Sequence, residues 1–340
     1  MNSPMSRFRE LGDYLGNNWN QFWFQPTGVR DLCKLRIAVG ALALIWQLSF
    51  TVDLVRWFAP DGWIDLGLYH SWVVEDLGAG VENTPPGFVG RLSYLFNQSP
   101  AVLLTLHFFG TAVLVAFTVG LGGRISAVLA WFVLLSYVHR APFLGGAVEP
   151  VLTMLVGYLC IAPIGVYNAL KLRKRTEDQP DSRTYFATIA RRLIQVHLTV
   201  IYLVMFTTKL VSPAWWNGEA LWWISAQQLI QTIDLTFVRA HPQWLNLWTF
   251  GVLISEFAMC TLVWNRTLRP FVVAVSMISW MSVALASGQA ALSLTMIIAN
   301  LSFLAPEASE ETVTNNTDVD RARSASSEPH HAMGETSHVT

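Results

Sequence analysis

Apolar residues are grouped along the chain into eight long runs, at 35–52, 101–121, 125–138, 150–167, 192–211, 245–264, 270–286 and 289–304, separated by polar or glycine- and proline-containing breaks. About 20 consecutive apolar residues carry a helix across the hydrocarbon core, and a helix satisfies its own backbone N–H and C=O groups there. The pattern therefore predicts an all-α, polytopic integral membrane protein with about eight transmembrane helices. Several runs are shorter than a full span, which tilt or neighbouring protein must accommodate. Residues 1–30 are polar and aromatic, without the apolar core or small-residue cleavage site of a signal peptide, so they read as a cytoplasmic or interfacial N-terminus. The stretch 19–23, with Trp19 and Trp23, suits the interface. A tryptophan-rich segment at 214–244 is too polar to span, and Trp222, Trp223 and Trp244 suit an interfacial aromatic belt. Residues 31–306 form the membrane domain. From 307 to 340 the chain is rich in Ser, Thr, Asn, Asp and Glu, the composition of a disordered cytoplasmic tail.

Composition agrees with the pattern. The chain has 340 residues, 53% of them hydrophobic and 13% charged, where soluble domains carry about 25% charged residues. The net charge of −1 argues nothing about nucleic acid, but no basic, aromatic-interleaved patch occurs outside the short loops, so no nucleic-acid partner is expected. Cys33, Cys160 and Cys260 have no metal-type or Cys-x-x-Cys spacing and read as small apolar core residues. With eight spans and both termini inside, 17 of the 22 lysines and arginines lie on the cytoplasmic side. Arg56, Arg91, Arg140 and Arg239 lie outside, and Lys209 lies in the membrane. That bias predicts a multi-pass plasma (inner) membrane protein with cytoplasmic N- and C-termini, and places Lys209 near the outer end of its helix.

Charged and polar residues inside the apolar runs are the candidates for chemistry, since an intramembrane ionisable group is costly to keep. Lys209 is the first. Gln195, Tyr202 and Lys209 are seven residues apart and drift only about 20° per heptad, so they share one helix face. Lysine is a base only as the neutral amine. Burial favours that form and the C-terminal end of a helix favours the ammonium, so both stay open, as does simple snorkelling to the interface. Glu256 is second, near the middle of the sixth run, either as a reacting acid or as half of a structural pair. His139, Arg140 and Glu149 flank the outer loop between the third and fourth runs. Arg140 and Glu149 read as a loop staple, with a roof over the Lys209 cavity as the alternative. Tyr202 and Gln195 hydrogen-bond either a ligand or a neighbouring helix. Trp216 and Gly218 read chiefly as shaping the turn after the Lys209 helix. His107 and His197 are lone histidines on apolar helices, expected in the core rather than on a metal, since no two-histidine metal motif occurs.

The run Tyr202-Leu-Val-Met-Phe-Thr-Thr-Lys209-Leu210, followed by Trp216-Asn-Gly218-Glu-Ala220, resembles the membrane domain shared by vitamin K-dependent gamma-carboxylases and the bacterial HTTM (horizontally transferred transmembrane) proteins. The resemblance also takes in 53–62 (DLVRWFAPDG), 139–146 (HRAPFLGG), 162–165 (APIG) and Glu256, and so covers about residues 30–306. It implies Lys209 as the general base that deprotonates reduced vitamin K or another menaquinol-like quinol, with Glu256, where relatives also carry an acidic residue, as the second catalytic candidate. Oxygen addition then gives an alkoxide strong enough to take the gamma proton of a glutamate. Tyr202, Gln195, His139, Arg140, Glu149, Trp216 and Gly218 become candidate cofactor-binding positions, with the bilayer and a lipid-soluble small molecule as partners and no metal. The chain departs from the family in having only a polar tail after the last run, where the clotting-factor carboxylase has a lumenal portion that binds the propeptide. It also reads Ile278-Ser-Trp-Met-Ser282 where relatives often carry a histidine, and it has no clear counterpart near 147–152 of the histidine assigned to oxygenation. A non-catalytic membrane protein kept for transport, sensing or partner binding is the alternative.

Overall fold

A computed structural model describes residues 4–63, 93–141, 146–163, 183–226 and 241–304, with the side chains of 4–9 and 11 excepted. The expected disordered tail, the acidic loop beyond 63, the basic run at 171–175, the loop centre 142–145 and the tryptophan-rich stretch 227–240 lie outside the described residues. The described residues fall within one compact unit, 1–305. Among the described residues its helices are α1 (Pro4–Phe24), α2 (Arg30–Leu48), α3 (Leu54–Phe58), α4 (Pro100–Val119), α5 (Gly123–Arg140), α6 (Val148–Leu159), α7 (Tyr185–Leu210), α8 (Pro213–Trp216), α9 (Ala220–Ser225), α10 (Pro242–Thr261), α11 (Arg269–Ser287) and α12 (Ala290–Asn300). The last continues as a 3₁₀ turn to Phe303.

Each of the eight apolar runs coincides with one of these helices. Four are long and apolar enough to cross a membrane: α4, α7, α10 with its 3₁₀ extension to Trp264, and α11. The α2 helix, of 19 residues, carries Arg30, Asp31, Lys34 and Arg36 in its first two turns, while α6 has 12 residues. The fourth run was expected to stay helical to 167. Its helix ends at Leu159, because Pro163 forbids the residue before it the α conformation and cannot itself donate to the ladder. The exterior suits lipid. Phe108 and Phe109 on α4, Ile254 on α10 and Phe271 and Ile278 on α11 are exposed, where a water-soluble protein rarely gathers so much apolar surface.

Local sequence sets the ends. Proline opens α4, α8, α10 and α11, where the missing N–H would have no partner in any case. The Thr184 hydroxyl caps α7 by accepting from the Ala187 N–H at 3.1 Å. At the end of α4, Gly120 adopts φ +90° while the buried Arg36 guanidinium occupies the space a Cβ would need, so only glycine fits. A two-residue antiparallel ladder, β1 (Thr27–Gly28) with β2 (Arg183–Thr184), fastens the N-terminal segment to the start of α7. Arg192 reinforces it, donating to the Phe22 carbonyl at 3.2 Å with its guanidinium 4.4 Å from the Phe22 ring centroid. The N-terminal stretch is thus a docked helix, which the polar sequence alone did not indicate.

Helices α2, α4, α5 and α6 pack as one group and α7, α10, α11 and α12 as another. They join through α6 against α7 and α12 and through α2 against α12. One large apolar core runs through both groups. A small second cluster, Leu221, Leu245 and Val252 with Trp215, Trp222, Ile224, Trp248 and Val283, forms where α9 leans on α10 and α11. The cavity described next lies against it.

Candidate functional site

Lys209 occupies the last turn of α7, and α7 packs along α10, whose C-terminal half carries Glu256. The Lys209 ammonium donates to Glu256 Oε1, forming an ion pair whose side chains are 17% and 4% exposed. The second carboxylate oxygen, Oε2, is buried and has no hydrogen-bond partner among the described residues. A Lys209 rotamer that reaches α10 also lies against Trp215, with Nζ 4.8 Å from the ring centroid, where the ring's negative face favours a cation.

The turn after α7 places Trp215. Trp216 Nε1 donates at 2.5 Å to the Leu210 carbonyl, one of the acceptors that a helix end leaves open. Gly218 takes φ +74°, its carbonyl accepts from Thr249 Oγ1 at 2.9 Å, and a Cβ there would lie 2.6 Å from Asn246 Oδ1. Both residues shape the turn, and neither lines the cavity beside Lys209.

That cavity has a volume of about 180 Å³. Its wall is mostly apolar, lined by the aromatic Trp215 and Trp280 and by Leu221, Val252 and Val283. Lys209 and Glu256 supply the charge, while Ser255, Ser279, Ser287 and Gln289 supply neutral polar groups. Gln289 is exposed, so the cavity is open on its side. Among the described residues no group of three or more His, Cys, Asp or Glu is placed to hold a metal ion.

The other residues singled out from sequence divide by location. Tyr202 is fully buried beneath the cavity. Its hydroxyl accepts from Trp280 Nε1 and Asn300 Nδ2, both at 2.8 Å, and lies 3.0 Å from Ser276 Oγ. It ties α7 to α11 and α12, and touches the cavity only through Trp280. Gln195 donates to the Ser302 carbonyl at 2.9 Å and accepts from Arg192 at 3.0 Å. At about 1.5 Å rise per residue it lies some 21 Å along the helix from Lys209. The shared face of Gln195, Tyr202 and Lys209 is therefore real, but its inner two members join helices and only Lys209 reaches the cavity.

His139, Arg140 and Glu149 belong to the other group of helices and do not line this cavity. The loop staple is not formed: among the described residues no ion pair joins Arg140 to Glu149. Arg140, fully buried, donates to the carbonyls of Phe58 and Ala59 at 3.0 and 3.2 Å, where the end of α3 leaves acceptors. Glu149 accepts from Trp46 Nε1 at 3.0 Å and from the Gly146 N–H at 2.6 Å, the natural place for a carboxylate at a helix start. His139 Nδ1 lies 2.8 Å from the Leu135 carbonyl of its own helix. His107 is a core residue as expected, with its ring nitrogens 2.6 Å from Tyr137 Oη and 3.0 Å from Thr51 Oγ1. His197 is not: it is exposed and meets Tyr158 Oη at 2.9 Å on the outer surface of the helices.

Sequence reasoning passed over Trp215, Trp280, Ser276 and Asn300. A lone amide in the last apolar run, and Ser276 and Trp280 one helical turn apart, were the available signals. Compared with protein-family models, curated proteins and solved structures, the chain finds no match.

Proposed function

We propose that this chain is a multi-pass membrane protein built on the eight-span plan of the HTTM and gamma-carboxylase-like membrane domains, with both termini cytoplasmic. In this reading the Lys209–Glu256 cavity takes a small lipid-soluble molecule with an acidic hydroxyl, a quinol above all, and the ion pair handles its proton. The observation that carries the reading is a buried ion pair on the wall of an open, aromatic-sided cavity, with one carboxylate oxygen lacking a donor. Buried polar groups are nearly always satisfied, and a binding site is where an exception has a purpose. The residues fit a quinol: Trp215 and Trp280 offer flat faces, and Glu256 Oε2 offers an acceptor. The volume of about 180 Å³ is below the ~300–1,000 Å³ of pockets that enclose drug-sized molecules. One fused ring system is the natural occupant, with any lipid tail left in the bilayer. Bound there, a quinol supplies an acidic hydroxyl and reducing electrons, and the protein orients it, excludes water and receives the proton.

The test is oxidation of menadiol, with incorporation of radiolabelled bicarbonate measured in parallel, in proteoliposomes of wild type, Lys209→Ala and the cavity-filling Ser279→Phe. Turnover by wild type, lost in both variants while each stays folded, supports the reading. Wild type that neither binds nor oxidises menadiol refutes it. The second reading, a non-catalytic protein in which the same pair only fastens α7 to α10, is favoured by the pair itself, and under it wild type turns over no menadiol while loss of Lys209 lowers only the melting temperature.

A further inference from the structure

The pair holds one proton-accepting atom in reserve, and it is not on lysine. Lys209 Nζ already donates to Glu256 Oε1 and faces the Trp215 ring. An ammonium that donates to one and faces the other has no lone pair to offer. On the carboxylate, Oε1 is taken by Lys209. Oε2 is buried without a donor, on a residue that lines the cavity. A turn of the Glu256 carboxylate about its Cγ–Cδ bond brings Oε2 to a ligand hydroxyl entering beside the pair, which then has an acceptor there and a cation at Lys209.

We infer that Glu256 is the base of this site and Lys209 the oxyanion-stabilising cation, acting on weak O–H acids of the phenol, quinol or enol class; the inference rests on the reading of the cavity given above. The ligand first donates a hydrogen bond to Oε2. Its O–H bond then breaks, the proton forms a new bond to Oε2, and the electron pair stays on the ligand oxygen. The carboxyl becomes neutral, and the ligand oxyanion replaces it as counter-ion of the Lys209 ammonium. Nothing is oxidised or reduced, and the site holds one positive and one negative charge before and after. That conservation matters in an apolar cavity, where an unpaired charge is expensive and an exchanged pair is not. Taking the proton onto a neutral lysine would instead require the ion pair to be dissolved first.

The probe is 4-nitrophenol, whose absorption separates phenol from phenolate, added to protein in nanodiscs at a pH below the phenol's own ionisation. Wild type should bind it as phenolate with no net proton exchange, seen as equal binding heats in buffers of different ionisation enthalpy. An infrared carbonyl band of a protonated carboxyl should grow with it. Lys209→Arg should still bind phenolate, since guanidinium stabilises an anion yet never accepts a proton. Glu256→Gln should take only preformed phenolate, with affinity rising about tenfold per pH unit and one proton released per ligand. Three results overturn the assignment: phenolate bound by Glu256→Gln without proton release, phenolate binding lost in a folded Lys209→Arg, or wild-type phenolate binding without the carboxyl band. The last needs no variant to fold. Wild type that binds no nitrophenol at all overturns the cavity reading, and this inference with it.

Discussion

Removing each half of the Lys209–Glu256 pair should cost different amounts, because the partners are unequally buried. Lys209→Met strands Glu256, whose side chain is 4% exposed and whose Oε2 already has no donor, so both oxygens then lack a partner. Breaking a buried ion pair in this way costs about 3–5 kcal/mol, and we expect the upper half of that range. Glu256→Gln strands Lys209, which is 17% exposed, lies near its helix end and keeps the Trp215 face. A retained cation–π contact of about 0.5–2 kcal/mol and a stem able to carry the charge outward should hold the loss to about 1–2 kcal/mol. The double variant Lys209→Met/Glu256→Gln buries no charge and should lie within about 1 kcal/mol of wild type. At about 2–4 °C per kcal/mol for a domain of this size, Lys209→Met should melt about 10 °C low in detergent and the double variant near wild type. The assay is thermal unfolding of the four proteins as a double-mutant cycle. Losses that simply add in the double variant, or a Lys209→Met protein as stable as wild type, refute the claim that the two residues are coupled.

Other parts of the molecule give sharper local tests. Tyr202→Phe takes away the acceptor of Trp280 Nε1 and one acceptor of Asn300, and should destabilise by about 1–2 kcal/mol in thermal unfolding; an unchanged melting temperature rules the network out. Gly218→Ala places a methyl 2.6 Å from Asn246 Oδ1 at φ +74°. The left-handed backbone alone should cost about 1–2 kcal/mol, so adding Asn246→Ala should relieve only part of the loss measured by denaturation. Trp216→Phe removes the donor to the Leu210 carbonyl and should cost about 1 kcal/mol, whereas the menadiol binding proposed for the cavity should match wild type. For orientation, single cysteines at Asn83 and Ser327, in a background with Cys33, Cys160 and Cys260 replaced by alanine, should label from outside and only after permeabilisation, respectively; the reverse pattern inverts the topology.

The helices were legible because a long apolar run marks a segment that must be hidden from water, and lipid allows little else. Where the reading of helix ends failed, a local stop had been outweighed by apolar composition, as at Pro163, which closes the fourth run short. The docked N-terminal helix was illegible for the converse reason. Its polar sequence gives no span, and what orders it is distant in the chain: the ladder from Thr27 to Thr184 and the Arg192 contact with Phe22. The site divides along the same line. Lys209 and Glu256 stand out singly, since each is costly where it lies, yet their pairing depends on α7 meeting α10, 47 residues apart in sequence. Arg140 and Glu149 show the opposite error. Opposite charges nine residues apart suggested a staple, but each found backbone or indole partners from α2, α3 and the adjacent loop, which no spacing rule could supply.

Burial explains why so few of the polar residues on the Lys209 face are available for chemistry. Gln195 and Tyr202 have each spent their hydrogen bonds on neighbouring helices, and in a bilayer that is what holds helices together once the hydrophobic effect no longer distinguishes core from lipid. A polar atom left unsatisfied in such a bundle has no water to turn to. Glu256 Oε2 is in that position beside an opening large enough for one ring system, with a cation already in place to receive the negative charge that a departing proton leaves behind. Among the described residues that line the cavity, Glu256 carries the fully buried side-chain oxygen left without a donor, and that is where a ligand hydroxyl gains most by arriving.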